Sequence, residues 1–168
     1  MPNTIYSFPP IAAADARVLI LGSMPGEKSL QMQQYYAHPQ NAFWRIMGEL
    51  VGGGRELDYE RRIAYLKAHR LGVWDVLMSC QRTGSLDSAI EPASIQSNDF
   101  NAFFAAHSQI NHVFFNGGTA AAAYKRHVLP NLSPEFGKLQ YERLPSTSPA
   151  HATLNFDEKL LRWQKILR

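Results

Sequence analysis

Short, continuously apolar runs alternate along the chain with longer stretches in which apolar residues recur at helical spacing. The run RVLILG at 17–22 is β-branched and leucine-rich and stops at a glycine, as expected of a strand buried on both faces. After the loop SMPGEKS, the stretch QNAFWRIMGELV at 40–51 sets Phe43, Ile46, Met47 and Leu50 on one helical face, and the glycines at 52–54 stop it. DYERRIAYLKAHR at 58–70 predicts a second amphipathic helix, with Ile63 and Leu66 inward and Tyr59 as a further candidate. LGVWDVLMSC at 71–80 reads as the next strand, and SNDFNAFFAAHS at 97–108 as a helix capped by Ser97 or Asn98. NHVFFNGG is a third strand whose glycines open the helix TAAAAYKRHV. A fourth strand is expected around LQYERLP, and Asn155 then caps a last helix carrying Phe156, Leu160, Trp163 and Leu167.

Strands alternating with helices imply an α/β fold, its sheet mostly parallel and covered on both sides. No repeat, low-complexity tract or linker interrupts the pattern, and 168 residues suit a single domain over 1–168. Composition narrows the picture further. The chain is 45% apolar, but no apolar run approaches the roughly 20 residues of a membrane span, so a soluble protein is expected. MPNTIYSFPPIAAADAR lacks the basic and apolar regions of a secretory signal, which makes the cytoplasm the expected location. The single cysteine, Cys80, can form no internal disulfide or multi-cysteine metal site and reads as a small buried hydrophobe. A formal net charge of +3 slightly favours an anionic partner and decides little.

In α/β folds ligands bind where loops leave the carboxyl ends of the strands. That rule selects GSMPG after the first strand, NGG after the third and LPSTSPAHA after the fourth. Each mixes small residues, proline and hydrogen-bonding groups, which suits a backbone that approaches a ligand closely. Taken singly, each also reads as ordinary turn chemistry.

Four blocks together carry a resemblance: LILGSMPGEKSLQMQQYYAHPQNAFWRIM at 19–47, GVWDVLMSCQRTGSLDSAI at 72–90, FFNGGTA at 114–120 and LPSTSPAHA at 144–152. In this order they resemble the uracil-DNA glycosylase superfamily, and most closely its hypoxanthine-DNA (deoxyinosine) glycosylase branch, often called family 6. The mismatch-specific uracil glycosylases look similar over HPQNAFW. The resemblance implies a three-layer sandwich around a central, mostly parallel four-stranded sheet. It also implies a monomeric, monofunctional enzyme of base excision repair that takes DNA containing deaminated bases and needs neither metal nor cofactor. The alternatives are a uracil or mismatch-specific glycosylase, and a DNA-lesion binder of the same fold without hydrolysis.

Cleaving a base from deoxyribose passes through an oxocarbenium-like sugar and a departing base that gathers negative charge, so the site must place a water and supply donors. Many superfamily members carry an acidic or amide residue in the middle of the first loop. Met24 stands there in this chain and can fill neither role. The resemblance points to Asn41 as its replacement, acting by position and electrostatics because a carboxamide has no useful pKa. From spacing alone, Asn41 reads as a cap on the helix it opens. Asn116 is the second functional Asn that the resemblance implies, offering both a donor and an acceptor to the base edge; without it, Asn116 reads equally as a turn residue.

The base pocket implied by the same comparison is formed by Gly22, Ser23, Met24 and Pro25 with Tyr36 and Phe43, Tyr36 being the first choice for stacking and Trp44 for packing. Ser146, Thr147 and Ser148 are expected to donate to DNA phosphates, with Pro149 and Ala150 as a compact apolar surface. His151 belongs to the same DNA-binding stretch, at a position where Asn is expected about as readily. Within the three signature loops the one lysine is Lys28, so no lysine nucleophile and no strand-cleaving lyase step is expected.

Overall fold

The computed structural model describes residues 3–167. In chain order its strands are β1 (Thr4–Tyr6), β2 (Val18–Gly22), β3 (Leu71–Asp75), β4 (Leu77–Gln81), β5 (Gln96–Ser97), β6 (His112–Asn116) and β7 (Gln140–Leu144). The helices are α1 (Glu27–Met32), α2 (Phe43–Val51), α3 (Tyr59–Ala68), α4 (Phe100–Ala106), α5 (Gly118–His127) and α6 (Phe156–Trp163). A four-stranded sheet in the order β3-β2-β6-β7 forms the centre, and each of its pairings is parallel.

Alternation along β2 divides the core into two. Val18 and Ile20 face a cluster built from Phe43, Trp44, Ile46 and Met47 of α2, Leu66 of α3 and Trp163 of α6. Leu19 and Leu21 face the opposite cluster, where Phe100, Phe103 and Phe104 of α4 meet Tyr124 of α5. The result is the expected α/β three-layer sandwich, because a strand with period-two side chains and apolar residues at every position must be covered on both sides. Among the described residues no helix is long and apolar enough to cross a membrane.

The expected strand over 71–80 is two strands in two sheets. β3 ends at Asp75; after Val76 the chain turns into β4, which pairs antiparallel with β1 and β5 in a separate three-stranded sheet. The turn is fixed where Val76 N–H donates to the Gly22 carbonyl and Leu77 N–H to the Ser23 carbonyl. A run that stays apolar through the corner gives no local signal of the change.

Other boundaries shift for equally physical reasons. The helix expected over 40–51 begins at Phe43, and Gly52 ends it at φ 88°, a left-handed conformation suited to glycine. Asp99 caps α4 in place of Ser97 or Asn98, accepting from Ala102 N–H at 3.0 Å; Ser97 is in β5, and the Asn98 side chain instead donates to the Asp75 carbonyl. The short helix α1 occupies ground read as loop. Asn155 caps α6 as expected, in a reciprocal arrangement with Glu158, although Leu167 beyond it is exposed.

Candidate active site

The carboxyl ends of β2, β3 and β6 open on one side of the sheet, and the segments leaving them, with the one that follows β7, surround a cavity of about 540 Å³. All three stretches singled out by position at strand ends line it, as does Asn41. A further wall comes from 85–87, in the connection between β4 and β5.

The segment from Tyr35 to Asn41 is held by its neighbours rather than by internal regular structure. Trp44 Nε1 donates to the Tyr35 carbonyl at 2.7 Å, and Tyr35 N–H donates to the Tyr59 hydroxyl at 3.0 Å. Ala37 N–H donates to Ser29 Oγ, and the Arg55 guanidinium donates to the carbonyl of His38 at 2.6 Å. Trp44 is fully buried, in the packing role expected of it. Tyr36 is set at φ 53°, a left-handed conformation, with its ring stacked on Phe43 at 4.1 Å between centroids. Phe43 is fully buried behind Tyr36 and does not line the cavity.

Asn41 was expected as the cap of this helix, but the N-cap of α2 is Ala42; from one residue before it, Asn41 Oδ1 accepts from Phe43 N–H at 2.9 Å, which fixes the carboxamide. The Asn41 amide nitrogen has no hydrogen bond among the described residues, and the residue lines the cavity. Met24 is buried in the wall, 8% exposed.

Asn116 and Thr147 exchange two hydrogen bonds. Asn116 Nδ2 donates to Thr147 Oγ1 and Thr147 N–H donates to Asn116 Oδ1, both at 2.9 Å. Each carboxamide atom keeps one further bonding position, since Nδ2 carries two hydrogens and Oδ1 two lone pairs. Thr147 is 1% exposed, and its carbonyl accepts from Ala42 N–H, so this residue braces the loop from inside instead of facing outward with Ser146 and Ser148. Ser146 Oγ accepts from Ser148 N–H, and Ser148 Oγ from Ala150 N–H, which leaves both hydroxyl hydrogens available to a ligand. Pro149 and Ala150 line the cavity; His151 does not. Trp163 Nε1 fixes the start of this segment through the Pro145 carbonyl, and Lys159 fixes its end by donating to the carbonyls of His151 at 2.7 Å and Ser148 at 3.4 Å.

Asp75 was not among the residues expected at the site. It ends β3 directly opposite Gly22 of β2, is 4% exposed, and has Oδ2 sealed from solvent without a hydrogen-bond partner among the described residues. Burial pushes its carboxyl up to about 7; the charge of Asp87 adds to the rise and Arg82 opposes it. The Tyr36 hydroxyl is likewise buried and unpartnered, and its pKa is driven upward by burial and then by Asp75, with Asn116 opposing. A Cβ on Gly22 would stand 2.7 Å from Asp75 Oδ1 and 2.9 Å from the Tyr36 hydroxyl, so only glycine leaves these groups room. The signal in the sequence was a single acidic residue within the largely apolar run LGVWDVLMSC.

The neighbouring wall is equally constrained. Ser23 Oγ donates to Asp87 at 2.8 Å, and Glu27 N–H donates to Ser85 Oγ, which closes the 85–87 segment against the first loop. Arg82, 5% exposed, spans behind it from the Gly84 carbonyl to the Pro25 carbonyl.

Comparison with known proteins agrees with this fold. The model of the uracil DNA glycosylase superfamily matches residues 9–167. A hypoxanthine DNA glycosylase of Methanosarcina acetivorans is 36% identical over 135 residues, spanning 75% of this chain and 84% of that protein. One from Methanosarcina barkeri is 37% identical over 111 residues, or 66% of this chain and 69% of the relative. A solution NMR structure of a candidate uracil DNA glycosylase from Methanosarcina acetivorans superposes with a TM-score of 0.77 at 30% identity, covering 99% of this chain and 100% of that one. With the match running through every segment that walls the cavity, the chain belongs to the uracil DNA glycosylase superfamily.

Proposed function

We propose that the protein is a monofunctional DNA glycosylase that extrudes a deaminated base, hypoxanthine foremost, and hydrolyses its N-glycosidic bond to leave an abasic site. The observation that carries the reading is Asn41, whose carboxamide is fixed by its bond to Phe43 N–H, whose amide nitrogen has no hydrogen bond among the described residues, and which lines a cavity of base-accepting size. The names of the two Methanosarcina relatives support hypoxanthine as the base.

The chemistry divides among few groups. As the bond between the sugar C1′ and the base nitrogen breaks, its electron pair leaves with the base, and positive charge develops on the sugar. Water attacks C1′ and loses a proton; the departing base is protonated to its neutral form. Asn41 holds the water by its position, since a carboxamide cannot remove a proton as a true base. The ring of Tyr36, backed by Phe43, offers the extruded base an apolar face. The hydroxyls of Ser146 and Ser148 donate to the sugar-phosphate backbone and fix its register.

The test is release of free base from a duplex carrying one deoxyinosine, beside one carrying uracil opposite guanine, with Asn41→Ala as control. Hypoxanthine release that disappears in the variant is the expected result. No release from either substrate overturns the enzymatic reading, and trapping of a covalent adduct with borohydride overturns the monofunctional one.

A further inference from the structure

A second cavity, of about 640 Å³, adjoins the first, and Asn41, Thr147 and Pro149 line both. Its other walls are α2, the turn that follows α2 and the segment that enters α6, and the reading above gives it no task. Resting on the proposed glycosylase reading, we propose that this cavity is a subsite for the DNA strand beside the extruded nucleotide, with Arg45 binding one flanking phosphate.

Covalent continuity of the strand is the first argument. A nucleotide extruded into the first cavity stays bonded to both neighbours, so the strand must leave past the rim. Asn41, proposed to hold the water at the sugar, lies on the boundary between the two cavities. A neighbouring phosphate on that side is therefore delivered into the second.

Charge is the second argument. Three basic residues line this cavity, and two are engaged: Arg55 donates to the carbonyls of Tyr36 and His38, and Lys159 to those of His151 and Ser148. Arg45, exposed in the first turn of α2, has no hydrogen bond or ion pair among the described residues. Its guanidinium lies over the ring of Phe156, 3.7 Å from the centroid. Phe156 is itself fixed as the first residue of α6, behind the Asn155 cap. A guanidinium held by its face keeps the N–H donors around its edge free, and those donors match a phosphate by two parallel bonds. Glu49, one turn along α2 from Arg45, and Glu56 line the cavity as well, and neither pairs with Arg45. Their charges oppose a strand lying deep in the cavity, so a single phosphate contact is expected.

The experiment measures affinity for a duplex carrying a tetrahydrofuran abasic analogue, which has no base to release, for the wild-type protein, Arg45→Gln and Arg45→Lys. Arg45→Gln is expected to reduce the slope of log affinity against log salt by about one unit, so raising salt from about 50 to 200 mM costs wild type about three- to fourfold more affinity than it costs the variant. Arg45→Lys is expected to keep the wild-type slope, since the charge remains. The phosphates flanking the lesion are then replaced one at a time by uncharged methylphosphonate. One replacement is expected to weaken wild-type binding and to leave Arg45→Gln unaffected, which loss of packing on Phe156 alone would not produce. An unchanged slope in Arg45→Gln, or replacements that weaken both proteins equally at every position, overturns the subsite and leaves the glycosylase reading intact. Absence of wild-type base release from deoxyinosine and uracil, with the Arg45 contact present, overturns the enzymatic reading and leaves the subsite.

Discussion

Asn116 and Thr147, 31 positions apart in sequence, hold each other through two hydrogen bonds of 2.9 Å, one in each direction. The pair ties the end of β6 to the loop that follows β7, so a residue expected to read the base also positions the loop expected to meet DNA. Thr147→Val keeps the volume and removes the hydroxyl acceptor. The expected loss is about 1 kcal/mol of stability with slower base release. Asn116→Ala and the double variant complete a cycle in which the two effects are coupled; additivity in urea unfolding would show that the bonds do not work as a unit.

Two substitutions separate the structural bond of Asn41 to Phe43 N–H from its proposed part in the reaction. Aspartate offers the same acceptor to Phe43 N–H, so Asn41→Asp is expected to unfold within about 1 kcal/mol of wild type while losing the amide donor. Base release should fall by at least about 100-fold in both Asn41→Asp and Asn41→Ala, with lesion affinity in Asn41→Ala close to wild type. Full activity in Asn41→Asp would reduce the residue to its bond with Phe43 N–H.

Lys159 should act on DNA affinity without touching DNA. Its ammonium is occupied by the carbonyls of His151 and Ser148, and the residue is 5% exposed. Lys159→Met is expected to weaken binding several-fold by loosening 148–151, while the slope of log affinity against log salt stays unchanged. A slope reduced by about one unit would place the ammonium on a phosphate instead.

The Asp75 carboxyl makes stability depend on pH in a direction opposite to most carboxylates. Its pKa is raised by folding, from 3.8 to about 7, so its contribution is complete below the lower value and is lost as pH rises through the upper. Asp75→Asn is therefore expected to gain on wild type across that window, by a few kcal/mol near pH 8. Urea unfolding of both proteins near pH 5 and pH 8 measures this, and a wild type that gains on the variant with rising pH would mean that the carboxylate is paired.

Gly22→Ala tests the close approach at the cavity floor. The added methyl would meet the Asp75 carboxyl and the Tyr36 hydroxyl at 2.7 and 2.9 Å, and both must move. A destabilisation of about 1–3 kcal/mol together with lost base release is expected, read by unfolding and by the deoxyinosine assay. Unchanged activity would show that neither group's position matters.

The sequence by itself determined the alternation of strands and helices, the parallel sheet and the loops at the strand ends, because periodicity and turn chemistry are properties of neighbouring residues. Val18 and Ile20 against Leu19 and Leu21 suffice to demand two covering layers, and Asn155 with Glu158 suffices to start α6. Asn41 was legible as either cap or site residue; the fold makes Ala42 the N-cap of α2, and sets Asn41 one residue before it, bonded to Phe43 N–H and in the cavity lining. Only the tertiary structure decided that the apolar run at 71–80 turns between sheets at Val76, that Phe43 stands behind Tyr36, and that Thr147 faces inward to Asn116. It alone made Asp75 significant. An aspartate has the same side chain in any sequence, but its charge state follows from the solvent removed and the groups brought beside it, here Asp87 and Arg82 from the connection after β4.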